Sequence, residues 1–158
     1  MQTVIRRAHV YEAKALTSLA MRSKQSNGYD DTFMAACLEE LTVTTKLLSE
    51  NEYWVADAGQ LCGCTCLSET DHNTGEVHAF FVDPDCKRQG IGKLLWQKLL
   101  ERAKVKGLVS LHLDADPAAV PFYEAQGFKT IREVPSGSIT GRYLPHMELI
   151  LTERSEYS

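Results

Sequence analysis

The sequence predicts an α/β domain built on a mixed, mostly antiparallel sheet, and three observations carry that prediction. Three strand-like runs with short connections occupy "EYWVADAGQLCGCTCLSE" and "GEVHAFFVDP", the pattern of an antiparallel meander. The hydrophobic period then changes from that of a strand to that of a helix at the glycines of "RQGIGKLLW". Beyond it, "LVSLHLDAD" and "GFKTIREV" read as strands on either side of a short helix.

Taken in order, "TVIRRAH" alternates as a first strand, and "YEAKALTSLAMRSKQ" carries Ala15, Leu16, Leu19 and Ala20 at helical spacing. After the breaker "SNGYD", "DTFMAACLEEL" forms a second helix with Asp30 or Asp31 as N-cap and a stripe of Phe33, Met34, Cys37, Leu38 and Leu41. The "TTKLL" segment carries no clear pattern. The meander turns at "DAGQ" and its third strand stops at Pro84. A long helix starts at Gly90 and Gly92. Its stripe is Ile91, Leu94, Leu95, Leu99, Ala103 and Val105, and it closes near Gly107 with Lys104 and Lys106 in the last turn. "PAAVPFYEAQ" is a short helix with Asp116 as N-cap and Pro117 at its first position, inside which Pro121 removes one hydrogen bond. "RYLPHMELIL" supplies the last strand and "TERSEYS" a polar tail. No repeat or low-complexity segment divides the chain, so residues 1–158 are expected to form a single domain.

At 158 residues such a domain buries roughly two thirds of its unfolded surface. With 44% hydrophobic and 24% charged residues and a net charge of -4, the composition is that of a globular protein. It provides no general attraction to nucleic acid or an anionic membrane. The N-terminal segment has no apolar run of signal-peptide length and no stretch approaches the ~20 apolar residues of a membrane span, so a cytoplasmic location is expected. Five cysteines stand at 37, 62, 64, 66 and 86. Those of "LCGCTCL" fall on alternate strand positions and are expected to share one face as small hydrophobes in a reducing compartment. Their spacing lacks the two-residue gaps and second ligand segment of structural zinc, so no metal is expected.

The glycine turn before the long helix carries the chemistry. A helix N-terminus presents unpaired N–H groups and the positive end of the macrodipole, and Lys87, Arg88 and Lys93 reinforce that field. Two common phosphate loops do not fit, since Leu95 stands where a dinucleotide turn needs glycine and Lys87 where a P-loop does. The stretch from "FFVDPDCKRQGIGKLL" through "DADPAAVPFYEAQGF" instead resembles the two signature motifs of the GNAT superfamily of acetyl-CoA-dependent N-acetyltransferases. Val82, Pro84, Gly90, Gly92, Ala119, Tyr123, Gly127 and Phe128 match those motifs, which cover about the C-terminal half of the chain. Lys87 replaces the usual Arg or Gln, and Asp116 the usual Asn. Asp116 still caps its helix, but near an anionic cofactor a carboxylate repels rather than donates.

The resemblance implies a twisted sheet of about seven strands flanked by about four helices, splayed between strands four and five. It implies that backbone amides of Arg88, Gln89, Gly90, Ile91, Gly92 and Lys93, helped by Lys87, hold the pyrophosphate of acetyl-CoA. Phe80, Phe81 and Val82 pair with the pantetheine arm like an added strand, with Asp116 and Phe122 alongside. A bulge in strand four is expected to aim a backbone donor at the thioester carbonyl. Tyr123 occupies the position of the family's proton donor to the departing thiolate, the alternative being a packed aromatic. Glu76 and His78, on one face of strand four, are candidate bases beside water. Acceptor selection falls to the N-terminal helices and the last loop, where Tyr29, Asp30, Asp31, Phe33, Arg142 and Tyr143 are candidates. The expected reaction is direct acetyl transfer to a primary amine of a small molecule, and dimers are common in the family. A protein or peptide acetyltransferase and a non-catalytic acyl-CoA-binding module are the alternatives.

Overall fold

The structure, a computed structural model, describes residues 2–151, and the expected polar tail lies outside the described residues. Strand β1 (Val4–Arg7) leads through a 3-10 turn into α1 (Ala13–Gln25). Helix α2 (Asp31–Leu41) starts where the Asp30 carboxylate accepts the Phe33 N–H at 2.8 Å, which settles the N-cap. The patternless segment is a helix too: α3 (Thr45–Glu50) is capped by Thr44 and buries Leu48. Six residues are too few to display a stripe, so five helices are found among the described residues where about four were expected.

Strands β2 (Glu52–Asp57), β3 (Leu61–Thr70) and β4 (Thr74–Val82) form the meander, followed by α4 (Ile91–Val105), β5 (Ser110–Asp114), α5 (Val120–Ala125), β6 (Lys129–Pro135) and β7 (Tyr143–Ile150). Pro121 breaks nothing. The chain from Pro117 to Ala119 is a separate 3-10 turn, so Pro121 falls in the first turn of α5, where its missing N–H has no partner to lose. The seven strands lie in the order β1-β2-β3-β4-β5-β7-β6, and every pairing is antiparallel except β4 with β5.

Helices cover both faces. Trp96, Leu99 and Ala103 of α4 and Tyr123 of α5 pack on Val77, Leu111, Leu113 and Met147. On the opposite face Leu16, Leu19 and Leu48 pack on Tyr53, Val55, Cys64 and Cys66. Each such fully buried aliphatic side chain stabilises the fold by about 1.5–3 kcal/mol relative to exposure. Leu38 and Val105, expected in helical stripes, are exposed instead: α2 buries only Met34 and Cys37, and Val105 is the final residue of α4. No helix among the described residues is long and apolar enough to cross a membrane.

The cysteines do not all share one face. Ala56 pairs with Gly63 and Asp57 with Leu61, leaving Cys62 as the extra residue of a bulge. The bulge turns Cys62 toward α4, away from Cys64 and Cys66, and joins it to Cys86 in a disulfide with a Cα–Cα distance of 5.7 Å. Two cysteines therefore form a cross-link where small hydrophobes were expected, while Cys37, Cys64 and Cys66 are free and buried.

Glu52 ties α4 to the sheet. Its carboxylate accepts from Arg102 Nε at 2.7 Å, Trp54 Nε1 at 2.9 Å and Lys106 Nζ at 3.1 Å, with only 9% of the side chain exposed. Burial pushes its pKa up, but these three donors outweigh burial and hold it at about 2. Because the folded value is depressed, the stabilisation is complete above about pH 4.5 and is lost as pH falls toward 2. Glu52→Gln is expected to cost about 1–3 kcal/mol at pH 7 and much less near pH 2, read from denaturant melts at the two pH values.

Candidate active site

The site is created where pairing between β4 and β5 stops. The two strands are in register only at Thr74–Ser110, Gly75–Leu111 and Glu76–His112. Immediately beyond, Val77 pairs with Leu67 and Ala79 with Cys66, so His78 is an extra residue with no partner across β3. Such a bulge bends and twists its strand, and it carries β4 away from β5 at this point. The wholly buried Thr65 donates from Oγ1 to the Ala79 carbonyl at 2.7 Å and fixes the bulge. From Val77 to Val82 one edge of β4 has no strand beside it. Two cavities open there, of about 550 and 470 Å³, and they share Phe80, Val82, Lys87, Ala119 and Tyr123.

The smaller cavity lies over the glycine turn and is walled by Phe122, Ile91, Lys87, Arg88, Gly90, Gly92 and Lys93. Gly90 sits at φ +77° and Arg88 at +69°, the left-handed region that lets the chain enter α4 with its first N–H groups unpaired. Gly92 differs. A Cβ there would meet nothing nearer than Phe122 at 3.7 Å, so neither packing nor backbone angle requires glycine. A bare position that the protein itself does not need leaves space for a group approaching from outside. Unpaired amides at a helix N-terminus, with Lys87, Arg88 and Lys93 in no ion pair among the described residues, fit a phosphate-bearing ligand. Gln89 is exposed and does not line either cavity.

The larger cavity mixes polar and apolar walls. Tyr123 stands where the two cavities meet, packed edge-on against Phe80, Phe122 and Phe128, and burial pushes its phenol pKa well above the ordinary value. Glu76 and His78 line the same cleft 3.9 Å apart, and Phe81 lines it from the α1 side. Asp116 also lines it, and its charge is answered: Lys24 lies at 3.0 Å, the Tyr29 hydroxyl donates at 3.0 Å, and Arg142 lies at 3.8 Å. Burial raises the Asp116 pKa, but the Ala118 N–H, Lys24 and Tyr29 outweigh it and hold the group ionised below its ordinary value. The carboxylate that replaces asparagine thus arrives with its own counter-ions.

Tyr29, Phe33 and Arg142 are brought together, but they do not line the cleft. Tyr29 and Phe33 stack at 4.0 Å with the Arg142 guanidinium over both rings, a clasp between α2 and the β6–β7 loop. Tyr143 is exposed and also outside the cleft. Glu40 of α2 accepts a hydrogen bond from Ser138 of the same loop, and Glu40 and Gly137 close that side of the cavity. Sequence reasoning missed this contact, and it missed His112 and His146, which face one another at 3.1 Å. Their signal was the alternation of Ser110, His112 and Asp114 against Leu111 and Leu113, and of His146 and Glu148 against Met147.

The sequence model of the family described as an acetyltransferase (GNAT) domain matches residues 11–151. The chain is 36% identical over 138 residues to the peptidyl-lysine N-acetyltransferase YjaB of Salmonella typhimurium, covering 82% of this chain and 85% of that protein. It is 36% identical over 80 residues to an uncharacterised N-acetyltransferase of Methanocaldococcus jannaschii, where the match takes in 48% of this chain and only 35% of the relative. Among solved structures, the PaiA N-acetyltransferase of Thermoplasma acidophilum in complex with coenzyme A superposes with a TM-score of 0.77 over 95% of this chain and 99% of that one, at 22% identity. An apolar pocket at a bare helix N-terminus, a strand edge without a partner and this sequence match agree: the chain belongs to the GNAT acetyltransferase family.

Proposed function

We propose that the chain acetylates a primary amine of a small, positively charged molecule seated in the larger cleft. The observation that carries this reading is the cleft itself. The contact of Glu40 with Ser138 closes one side of it, and the carboxylates of Glu40, Glu76 and Asp114 line it. Of the two lysines that line the cleft, Lys24 is already paired with Asp116 and Lys87 belongs to the glycine turn. A cationic acceptor meets a surplus of carboxylates there, in a space bounded on one side by the Glu40–Ser138 contact.

The amides from Arg88 to Lys93 would hold the pyrophosphate of acetyl-CoA and the free edge at Phe80–Val82 its pantetheine arm, presenting the acetyl group at the shared wall of the two cavities. Tyr123 stands at that wall. A phenol whose pKa is raised far above the ~8.5 of a thiol stays neutral, so it stabilises the departing sulfur as a hydrogen-bond donor and does not surrender its proton outright. Acids around the amine favour its charged form, so the reaction also needs a group that takes the proton away. Glu76 and His78 stand in the cleft for that role. The likeness to a peptidyl-lysine acetyltransferase favours a second reading, in which the amine is a lysine side chain threaded into the cleft.

Mass spectrometry after incubation with acetyl-CoA and a panel of polyamines, amino acids, aminoglycosides and lysine-containing peptides is expected to show an enzyme-dependent acetylated small amine. Acetylation of peptides alone would establish the second reading. Gly92→Val is expected to leave the unfolding midpoint nearly unchanged and weaken acetyl-CoA binding by about tenfold or more in calorimetry; unaltered affinity would remove the glycine turn from the binding site. Tyr123→Phe is expected to lower kcat by roughly 10²-fold with KM for acetyl-CoA within about twofold, and an unchanged kcat would leave Tyr123 a packing residue.

A further inference from the structure

Four side chains outside the family's motifs form one continuous line of contacts on the cleft face of the sheet. Asp114 Oδ1 lies 2.6 Å from His146 Nδ1, His146 Nε2 lies 3.1 Å from His112 Nδ1, and His112 Nε2 lies 3.3 Å from Glu148 Oε2. Ser110 Oγ stands 3.4 Å from the same His112 nitrogen. Around the line are Glu76 of β4, in register with His112, and Lys129 and Arg132 of β6, in register with Glu148 and His146. The Asp114 end lines the cleft that Tyr123 and Glu76 also line. At the other end Glu148 is 29% exposed, while His146 between them is 13% exposed.

Counting protons shows what such a line is suited to do. The Asp114–His146, His146–His112 and His112–Glu148 contacts need one proton each, and two neutral imidazoles bring two in all. With His112 Nε2–H donating to Glu148 and His146 Nε2–H donating to His112, the empty place falls between Asp114 and His146, at the cleft. A third proton completes the line, and a fourth cannot enter without setting two N–H groups against each other across 3.1 Å.

We propose that Asp114, His146, His112 and Glu148 form the proton exit of the acetyl-transfer site. An ammonium N–H bond breaks at the cleft, its proton fills the place between Asp114 and His146, and the electron pair stays on nitrogen for attack on the acetyl carbonyl. Each imidazole then passes a proton onward, and one proton leaves from Glu148 to water, so one enters and one departs. Asp114 touches the acceptor; His146 and His112 act through it. Glu76 and His78 are less suited, because their 3.9 Å separation is no hydrogen bond and, among the described residues, no side-chain hydrogen bond leads onward from either. The inference rests on the reading of this cleft as the acceptor site, but not on which amine occupies it.

Two readouts test it, one of them independent of turnover. Imidazole ¹⁵N NMR of the free protein is expected to show His112 and His146 taking up one proton between them as pH is lowered through the imidazole range, and Asp114→Asn is expected to alter both signals. Two independent one-proton titrations would overturn the proposal. In pH–rate profiles with whichever amine is acetylated, small or peptidic, His146→Gln and Asp114→Asn are each expected to lower kcat/KM by about tenfold or more at pH 7. That deficit should shrink by about tenfold per pH unit as the amine deprotonates unaided toward the ~10.4 of an alkylammonium. A loss of the same size at every pH, or none, would overturn the role. Should His146→Gln fail to fold, Asp114→Asn, at a side chain 44% exposed, carries the comparison alone. Absence of turnover by the unaltered protein with every small amine, alongside the shared NMR titration, would reject the small-amine reading and leave the proton exit standing.

Discussion

Parallel pairing that stops after Glu76 and His112 is the constraint on which the rest of this structure depends. A strand in the middle of a sheet is normally obliged to pair on both edges, because an unpaired buried backbone N–H or C=O costs free energy. Here the His78 bulge turns β4 away from β5, and the Val77–Val82 edge is left facing cavities. The unmet backbone groups are then available to a ligand that can behave as a strand, so the fold carries its binding site as an interruption of its own hydrogen bonding. Thr65, buried under the bulge and bonded to the Ala79 carbonyl, holds that interruption in place.

Charge is distributed unequally along the gap. At the glycine turn the unpaired amides of α4 and the side chains of Lys87, Arg88 and Lys93 make an end suited to an anion. On the other side of Tyr123 the lining turns acidic, with Glu40, Glu76 and Asp114. Under the proposed function, a donor carrying phosphates and an acceptor carrying an amine would be drawn to opposite ends and meet at one buried phenol. Electrostatics of this kind orients reactants before any bond changes, and in a partly closed site it is less screened than at a free surface.

Asp116 shows how a departure from a family motif is accommodated by distant residues. Its carboxylate collects Lys24 from α1, Tyr29 from the start of α2 and Arg142 from the β6–β7 loop. Removing one partner of a buried pair is costly because the other charge is stranded. The substitution therefore couples three segments at one side of the cleft. The stacked rings of Tyr29 and Phe33 beneath Arg142 belong to the same clasp, which places these residues behind the cleft wall and not on it.

The sequence by itself determined the elements with strong local signals. The period change at Gly90, a cap at Asp30 or Asp31 and the alternation of the meander are written within a few residues of one another, and a strand or a helix stripe needs no more than that, whereas the choice of Asp30 and the confinement of the Asp116 cap to the 3-10 turn Pro117–Ala119 came from the structure. The glycine turn and Tyr123 were legible for the same reason, as short motifs with fixed spacing. Tertiary structure alone decided what depends on residues far apart. The bulge that sends Cys62 to Cys86 is a matter of register with β2, the counter-ions of Asp116 come from up to 92 positions away, and His112 meets His146 only because β7 lies beside β5. Such contacts leave no periodic trace in one chain, since either partner alone reads as an ordinary polar residue on a strand or helix.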